Sequence, residues 1–104
     1  MNRIKKLSAK VRKILEDFPE SRNDDSFLTL KIWQVYFPEK LFRDGENRLC
    51  VRFAEVLELP REDNIKRIRA KIQNTDGRFL PTREEVAVKR GISAMKWREA
   101  MLAI

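Results

Sequence analysis

The sequence has no histidine, one cysteine, one tyrosine and only three glycines among its 104 residues. Lack of histidine removes the commonest general base and the commonest metal ligand. One cysteine builds neither a disulfide frame nor a metal knuckle. Cys50, set in LCVRF, reads as a small buried hydrophobe in a reducing, intracellular setting. It has no histidine to activate it as a nucleophile. Three scattered glycines make no phosphate-binding loop. No apolar run reaches the ~18 residues of a membrane span. The charged N-terminus lacks the apolar stretch of a secretory signal, so the expected location is cytoplasmic. The adjacent carboxylates Glu62-Asp63 and Glu84-Glu85 stand at expected helix starts, where the helix dipole accounts for them. These absences point away from an enzyme and call for no cofactor and no metal.

Charge is what the chain has in abundance. Charged residues make up 38 %, well above the roughly 25 % usual in soluble domains, and the net charge is +7. The excess is segregated. Residues 1–15 carry six cations and no anion, residues 16–58 six cations and ten anions, and residues 59–104 eleven cations and six anions. Two basic ends around an acidic middle favour a polyanion partner through counterion release. The competing reading is a solvated basic surface, or one paired with the acidic middle.

Periodicity supplies the elements. Ile4, Leu7, Val11, Ile14, Leu15 and Phe18 form one stripe of a helix over 3–18, with Lys5, Lys6, Lys10, Arg12 and Lys13 around it. This helix can dock on the main core, pair two copies of the chain, or lie on a membrane surface. Pro19 ends it, and PESRNDD (19–25) reads as a polar linker. A second helix is expected over 26–37, capped by Ser26, although its β-branched and aromatic content also suits a strand. Phe27, Trp33, Tyr36, Phe37 and Phe42 lie in the acidic section and read as core rather than as a base-stacking platform. A third helix is expected over 47–57, with Leu49, Phe53, Val56 and Leu57 inward. A fourth follows over 61–74, the two forming a helix-turn-helix pair. Asp76-Gly77 marks a tight turn, and Arg78-Phe79-Leu80 a short extended β-wing closed by Pro81. Thr82 and Glu85 form a T-x-x-E capping box. Gly91 ends that helix, and Ser93 caps a last one running to Leu102.

Helix 61–74 carries the most information. Ile65, Ile68 and Ile72 recur at helical spacing and can face a core. The opposite face presents Lys66, Arg67, Ala70, Lys71 and Asn74, while Arg69 lies near the apolar edge, where it snorkels or meets an acidic neighbour. A basic helix holding a small residue among its cations, followed at once by a turn, suits the major groove of a duplex. Arg67 and Asn64 are the side chains suited to base edges. Lys66, Lys71 and Arg78 suit phosphates. A second unit competes: in EEVAVKRGISAMKWREAM, the Ala87…Gly91-Ile92 spacing resembles the turn of bacterial repressor helix-turn-helix units. Arg90 stands where those units bury an apolar residue, and Ala100 is smaller than expected. In that reading Ser93, Lys96 and Arg98 face the groove.

On PREDNIKRIRAKIQNTDGRFLPT, residues 60–82, the chain resembles small winged-helix proteins common in phage and prophage genomes. The resemblance covers about residues 26–83. It implies a three-helix core with 61–74 as recognition helix and 75–81 as wing. The expected fold is therefore mainly α: a winged-helix core over 26–83, a basic amphipathic helix and linker over 1–25, and a C-terminal helical segment over 84–104. The expected function is double-stranded DNA binding in transcription regulation or phage DNA metabolism. A homodimer would form through helix 3–18 or the C-terminal helix, and no membrane role is expected. The alternative is a protein-interaction module, such as an adaptor or an inhibitor of a host enzyme.

Overall fold

The computed structural model describes the backbone of residues 2–102 and the side chains of residues 6–102. The side chains of Ile4 and Lys5, and residues 103–104 of the expected C-terminal segment, lie outside the described residues. The described chain is mainly helical, with one two-stranded antiparallel sheet. In order, it runs α1 (Asn2–Asp17), α2 (Asp25–Tyr36), β1 (Leu41–Arg43), β2 (Leu49–Val51), α3 (Phe53–Val56), α4 (Glu62–Ala70), α5 (Glu84–Lys89) and α6 (Ala94–Leu102).

The core lies between α1, α2 and α4. Val11, Ile14 and Leu15 of α1 meet Leu28 and Ile32 of α2 and Ile65 of α4, with Ile72 just beyond it; all are essentially buried. Each such aliphatic side chain contributes about 1.5–3 kcal/mol on leaving water, before the entropy of ordering it. Of the three readings open for the N-terminal helix, docking on the core describes what its apolar stripe does here.

The segment after α1 is folded rather than a linker. Pro19–Arg22 forms a 3-10 turn in which Ser21 is fully buried. The Ser21 hydroxyl donates to the Phe18 carbonyl at 2.6 Å, and Arg22 Nε donates to the Leu15 carbonyl at 2.7 Å. Arg22 thereby satisfies one of the carbonyls that the end of α1 leaves unpaired, while the Phe18 carbonyl also accepts from the Ser21 N–H. Asp24, not Ser26, caps α2, accepting from the backbone N–H groups of Ser26 (2.9 Å) and Phe27 (3.3 Å). With the helix starting one residue earlier, the Ser26 hydroxyl is released to donate to Glu62.

The expected helix over 47–57 does not form, and with it goes the helix-turn-helix pair 47–57 and 61–74. Leu49–Val51 is a strand paired with Leu41–Arg43, in the register Leu41↔Val51, Phe42↔Cys50, Arg43↔Leu49. The reason is local. The Asp44 carboxylate accepts from the backbone N–H of Glu46 (2.8 Å) and Arg48 (2.9 Å) and from Arg48 Nε (2.8 Å), closing a hairpin loop over the would-be helix start. Only one helical turn, α3, remains, and two of its expected core residues face solvent: Phe53 is 85 % and Leu57 76 % exposed. Cys50 is half-buried on β2 rather than buried. Phe42 is also more exposed than a core aromatic, whereas Phe27, Trp33, Tyr36 and Phe37 are half-buried.

The hairpin precedes α4, where a wing was expected to follow it. Residues 75–81 form no strand. Gly77, at φ 65°, turns the chain out of α4, and the Gln73 amide then donates to the Phe79 carbonyl at 2.9 Å. Phe79 packs on the core, Pro81 is buried, and the Trp97 indole donates to the Pro81 carbonyl. The segment is thus a strap between α4 and α6, its Phe79 and Pro81 carbonyls bonded to side chains and its Arg78 N–H to the Ile72 carbonyl instead of to a partner strand.

The Thr82–Glu85 capping box is absent as well. Asn23 donates to the Thr82 hydroxyl and accepts from the N–H of Thr82 and Arg83, so Thr82 is held to the α1–α2 connection. Helix α5 starts at Glu84 without a side-chain cap. Its other end follows expectation. Gly91 lies at φ 82°, Ile92 N–H bonds the Ala87 carbonyl and Gly91 N–H the Val88 carbonyl, which are the two bonds of a Schellman ending. Ser93 Oγ accepts weakly from Lys96 N–H at the start of α6.

Candidate nucleic-acid interface

Helix α4 is positioned by its buried side. Ile65 and Ile72 are buried in the core, Ile68 packs against it, and Arg69 and Gln73 are buried beside them. Arg69 does meet an acidic neighbour: its guanidinium grips Asp25 of α2 through two bonds of 2.9 Å. Gln73 donates to the Arg22 and Phe79 carbonyls and accepts from Arg90 at 3.0 Å. This buried network fixes the rotation of α4, so its remaining faces turn outward.

Asn64, Lys66, Arg67, Lys71, Asn74 and Arg78 are exposed, and Ala70 is half-buried. They do not form one uniform surface. At 100° per residue, Asn64, Arg67 and Lys71 share the edge facing α1, while Lys66 lies about 100° from Arg67 around the helix. Asn74 donates to the Arg90 carbonyl and helps hold the end of α5. Past Ala70 the helix widens into one π-helical turn, Lys71–Thr75, closed by a bond from Asp76 N–H to the Lys71 carbonyl. Glu62 and Asp63 are exposed in the first turn. The cations therefore gather in the C-terminal half of α4, away from the end that such helices usually aim at bases.

No carboxylate among the described residues pairs with Lys66, Arg67, Lys71 or Arg78. The acidic middle spends its charges elsewhere: Asp25 holds Arg69, Asp44 holds Arg48 and Glu58 holds Lys40. Glu58 is held below the usual carboxylate range by the Lys40 ammonium bonded to it.

A groove of about 240 Å³ lies between α1 and α4, lined by Ser8, Arg12, Arg67, Ile68, Lys71, Ile72 and Asp76. Ser8, Arg12 and Asp76 were not singled out as a site from the sequence. Ser8 and Arg12 stand four residues apart on one flank of the α1 stripe. That spacing was visible, but which neighbour the flank would meet was not. The larger concavity, about 510 Å³, is lined by Glu20, Asn23, Asp24, Asp25, Ser26, Phe27, Arg83 and Val86. Its carboxylates are already engaged, with Asp24 capping α2, Asp25 gripping Arg69 and Glu20 paired with Arg83.

The α5–α6 unit has a small buried residue, Ala87, and a left-handed glycine in its turn. Arg90, which stands where repressor units bury an apolar residue, turns inward to the Arg22 carbonyl and Gln73. Burial foremost, and then nearby Arg69, lowers its pKa. Of the side chains assigned to a groove here, Ser93 caps α6, Arg98 pairs with Glu84, and Lys96 is exposed.

No helix among the described residues is long and apolar enough to cross a membrane, and they hold no group of three or more potential metal-ligating side chains. No protein-family model, curated protein or solved structure matches this chain.

Proposed function

We propose that the protein is a non-enzymatic, double-stranded DNA-binding protein with a regulatory or DNA-metabolism accessory role. It lays the C-terminal half of α4 against the duplex from a core of α1, α2 and α4. The observation that carries this reading is the set of exposed cations Lys66, Arg67, Lys71 and Arg78, none of them paired with a carboxylate among the described residues. Unpaired cations held on α4 and on the turn and strap that follow it keep their counterions until a polyanion displaces them, and that release drives association. Arg67, with Asn64 on the same edge, supplies the forked and amide groups suited to base edges, and Lys71 and Arg78 the phosphate contacts. The resemblance of residues 60–82 supplies the setting of a small regulatory protein, without the helix-turn-helix pair 47–57 and 61–74 and without the wing, neither of which forms here.

The test is fluorescence anisotropy with a random ~25-bp duplex at several salt concentrations. The parent should bind at low salt with a log–log salt slope of several units. Lys71→Ala should lower that slope by about one, and Arg67→Ala should cost about 1–3 kcal/mol and relax sequence preference on a selected site. A parent that shows no binding at low salt sinks the reading. Loss of binding on Lys96→Ala, with Lys71→Ala silent, would transfer it to the α5–α6 unit.

A second reading, a protein-interaction module, draws on Phe53 and Leu57. These large apolar side chains stand four residues apart on the surface, with Phe42 of the hairpin also exposed. Partners captured from a lysate that survive nuclease treatment and vanish with Phe53→Ser would favour it.

A further inference from the structure

We propose that the groove between α1 and α4 is a seat for one backbone phosphate, occupied in the free protein by the carboxylate of Asp76, which the duplex must displace. The inference rests on the DNA-binding reading and adds both a site and a built-in competitor to it.

The groove brings three cations, Arg12, Arg67 and Lys71, to one hydroxyl, Ser8, over the apolar side chains of Ile68 and Ile72. A single anion, Asp76, shares it, and Asp76 bonds Arg12 Nη2 at 3.2 Å. That donor set suits a phosphodiester. A guanidinium offers a planar fork to two phosphate oxygens, an ammonium adds a point charge, and a serine hydroxyl donates a neutral bond. One carboxylate leaves this set with an excess of positive charge.

The Arg12–Asp76 bond is built to exchange. Its side chains are 42 % and 31 % exposed, so water and salt screen it. Helix geometry gives the carboxylate no reason to be there. Asp76 closes the C-terminal end of the α4 segment, where the dipole disfavours negative charge. Its side chain bonds Arg12 and caps no N–H group among the described residues. A phosphate can replace it oxygen for oxygen, and Asp76 then turns to solvent without leaving a buried group unpaired.

α1 is thereby part of the binding surface. Arg12 reaches the groove because Val11 and Leu15, on either side of it in the sequence, are anchored in the core. Lys13, one residue on, faces away and pairs with Asp17 at 3.3 Å. That pair supplies charge-matched controls on the same helix.

The experiment compares Asp76→Asn with Asp17→Asn, and Arg12→Gln with Lys13→Gln, on the random duplex across salt concentrations, with circular dichroism to verify folding. Each pair changes net charge equally, so a general charge effect moves both members alike. Asp76→Asn should tighten binding several-fold and steepen the salt slope by about one, because Arg12 then meets phosphate without first giving up an internal partner. Asp17→Asn should move affinity less than twofold, within the effect of one distant screened charge. Arg12→Gln should weaken binding more than Lys13→Gln, and should abolish the gain when combined with Asp76→Asn. Equal effects within each pair would overturn the seat while Lys71→Ala still reported DNA binding. No binding by the parent and by Asp76→Asn would overturn the seat and the DNA reading together.

Discussion

Removing the carboxylate of Asp25 should destabilise the protein more than removing both partners of its ion pair. Asp25 receives two 2.9 Å bonds from Arg69, whose side chain is 5 % exposed, and lies 3.8 Å from Arg90, whose side chain is 14 % exposed. In Asp25→Ala, the buried guanidinium of Arg69 and the half-buried one of Arg90 lose their only carboxylate among the described residues. Arg69 keeps one long contact to Gln73 Oε1 at 3.5 Å. Breaking a buried pair from one side costs about 3–5 kcal/mol. Asp25 itself is 17 % exposed, so water can reach the gap and the cost falls at the low end, about 3 kcal/mol. Arg69→Met removes the charge and keeps the apolar stem, leaving Asp25 to Arg90 and solvent, for a cost of about 1–2 kcal/mol. The double variant has no stranded Arg69 and should be more stable than Asp25→Ala alone. The assay is urea unfolding followed by the fluorescence of Trp33 and Trp97 and by circular dichroism. Against a total stability of roughly 5–15 kcal/mol, a 3 kcal/mol loss is a large midpoint shift. If Asp25→Ala costs under about 1 kcal/mol, or the double variant is less stable than it, the account of this network is wrong.

Gly91→Ala should cost about 1–2 kcal/mol by thermal unfolding, from its φ of 82° alone, since an added Cβ meets no atom within 4 Å. Gly45→Ala, in equally open space without a positive φ, should not destabilise and serves as the control. Asp44 is held below the usual carboxylate range, first by the backbone N–H of Arg48 and then by its side chain. Its folded pKa therefore lies below its unfolded one, so its contribution is present above the ordinary carboxylate pKa and is lost as pH falls through the folded value. NMR-detected amide exchange at Glu46 and Arg48 should quicken, relative to its intrinsic rate, over that acid window, and Asp44→Asn should flatten the response. Phe53→Ser with Leu57→Ser should leave the unfolding midpoint nearly unchanged, because both side chains are already in water. A large stability loss would mean that they are buried in solution, for instance against another copy.

Where a stripe of apolar residues met strong local signals, the sequence was sufficient. The Val11–Ile14–Leu15 and Ile65–Ile68–Ile72 stripes, Pro19 after α1 and Gly91 after α5 are each read within a few residues. Helix periodicity and φ preference are local properties, and α1, α2, α4 and the end of α5 follow them. Arg69 was legible in part: the edge of an apolar stripe left it to snorkel or to meet an acidic neighbour, and Asp25 decides for the second. The expectations that failed were decided by side chains making bonds that no period records. Asp44 took the N–H groups of Glu46 and Arg48 and turned an expected helix start into a hairpin. Asn23 took Thr82, 59 residues away, and removed a capping box. Gln73 bonded the Phe79 carbonyl, so 78–80 needed no partner strand. Arg90, already a departure from the repressor pattern, found carbonyl and amide acceptors inside.

The candidate site divides in the same way. Sequence alone determined that α4 would turn Lys66 and Arg67 away from Ile65, Ile68 and Ile72, because a 3.6-residue period separates them. Only the tertiary structure decided that Asn74 would be drawn to α5, and that Arg12 and Asp76, 64 residues apart, would meet beside Arg67 and Lys71. Periodicity assigns a residue to a face of its own helix. Which neighbour that face meets depends on how α1, α2 and α4 share one core.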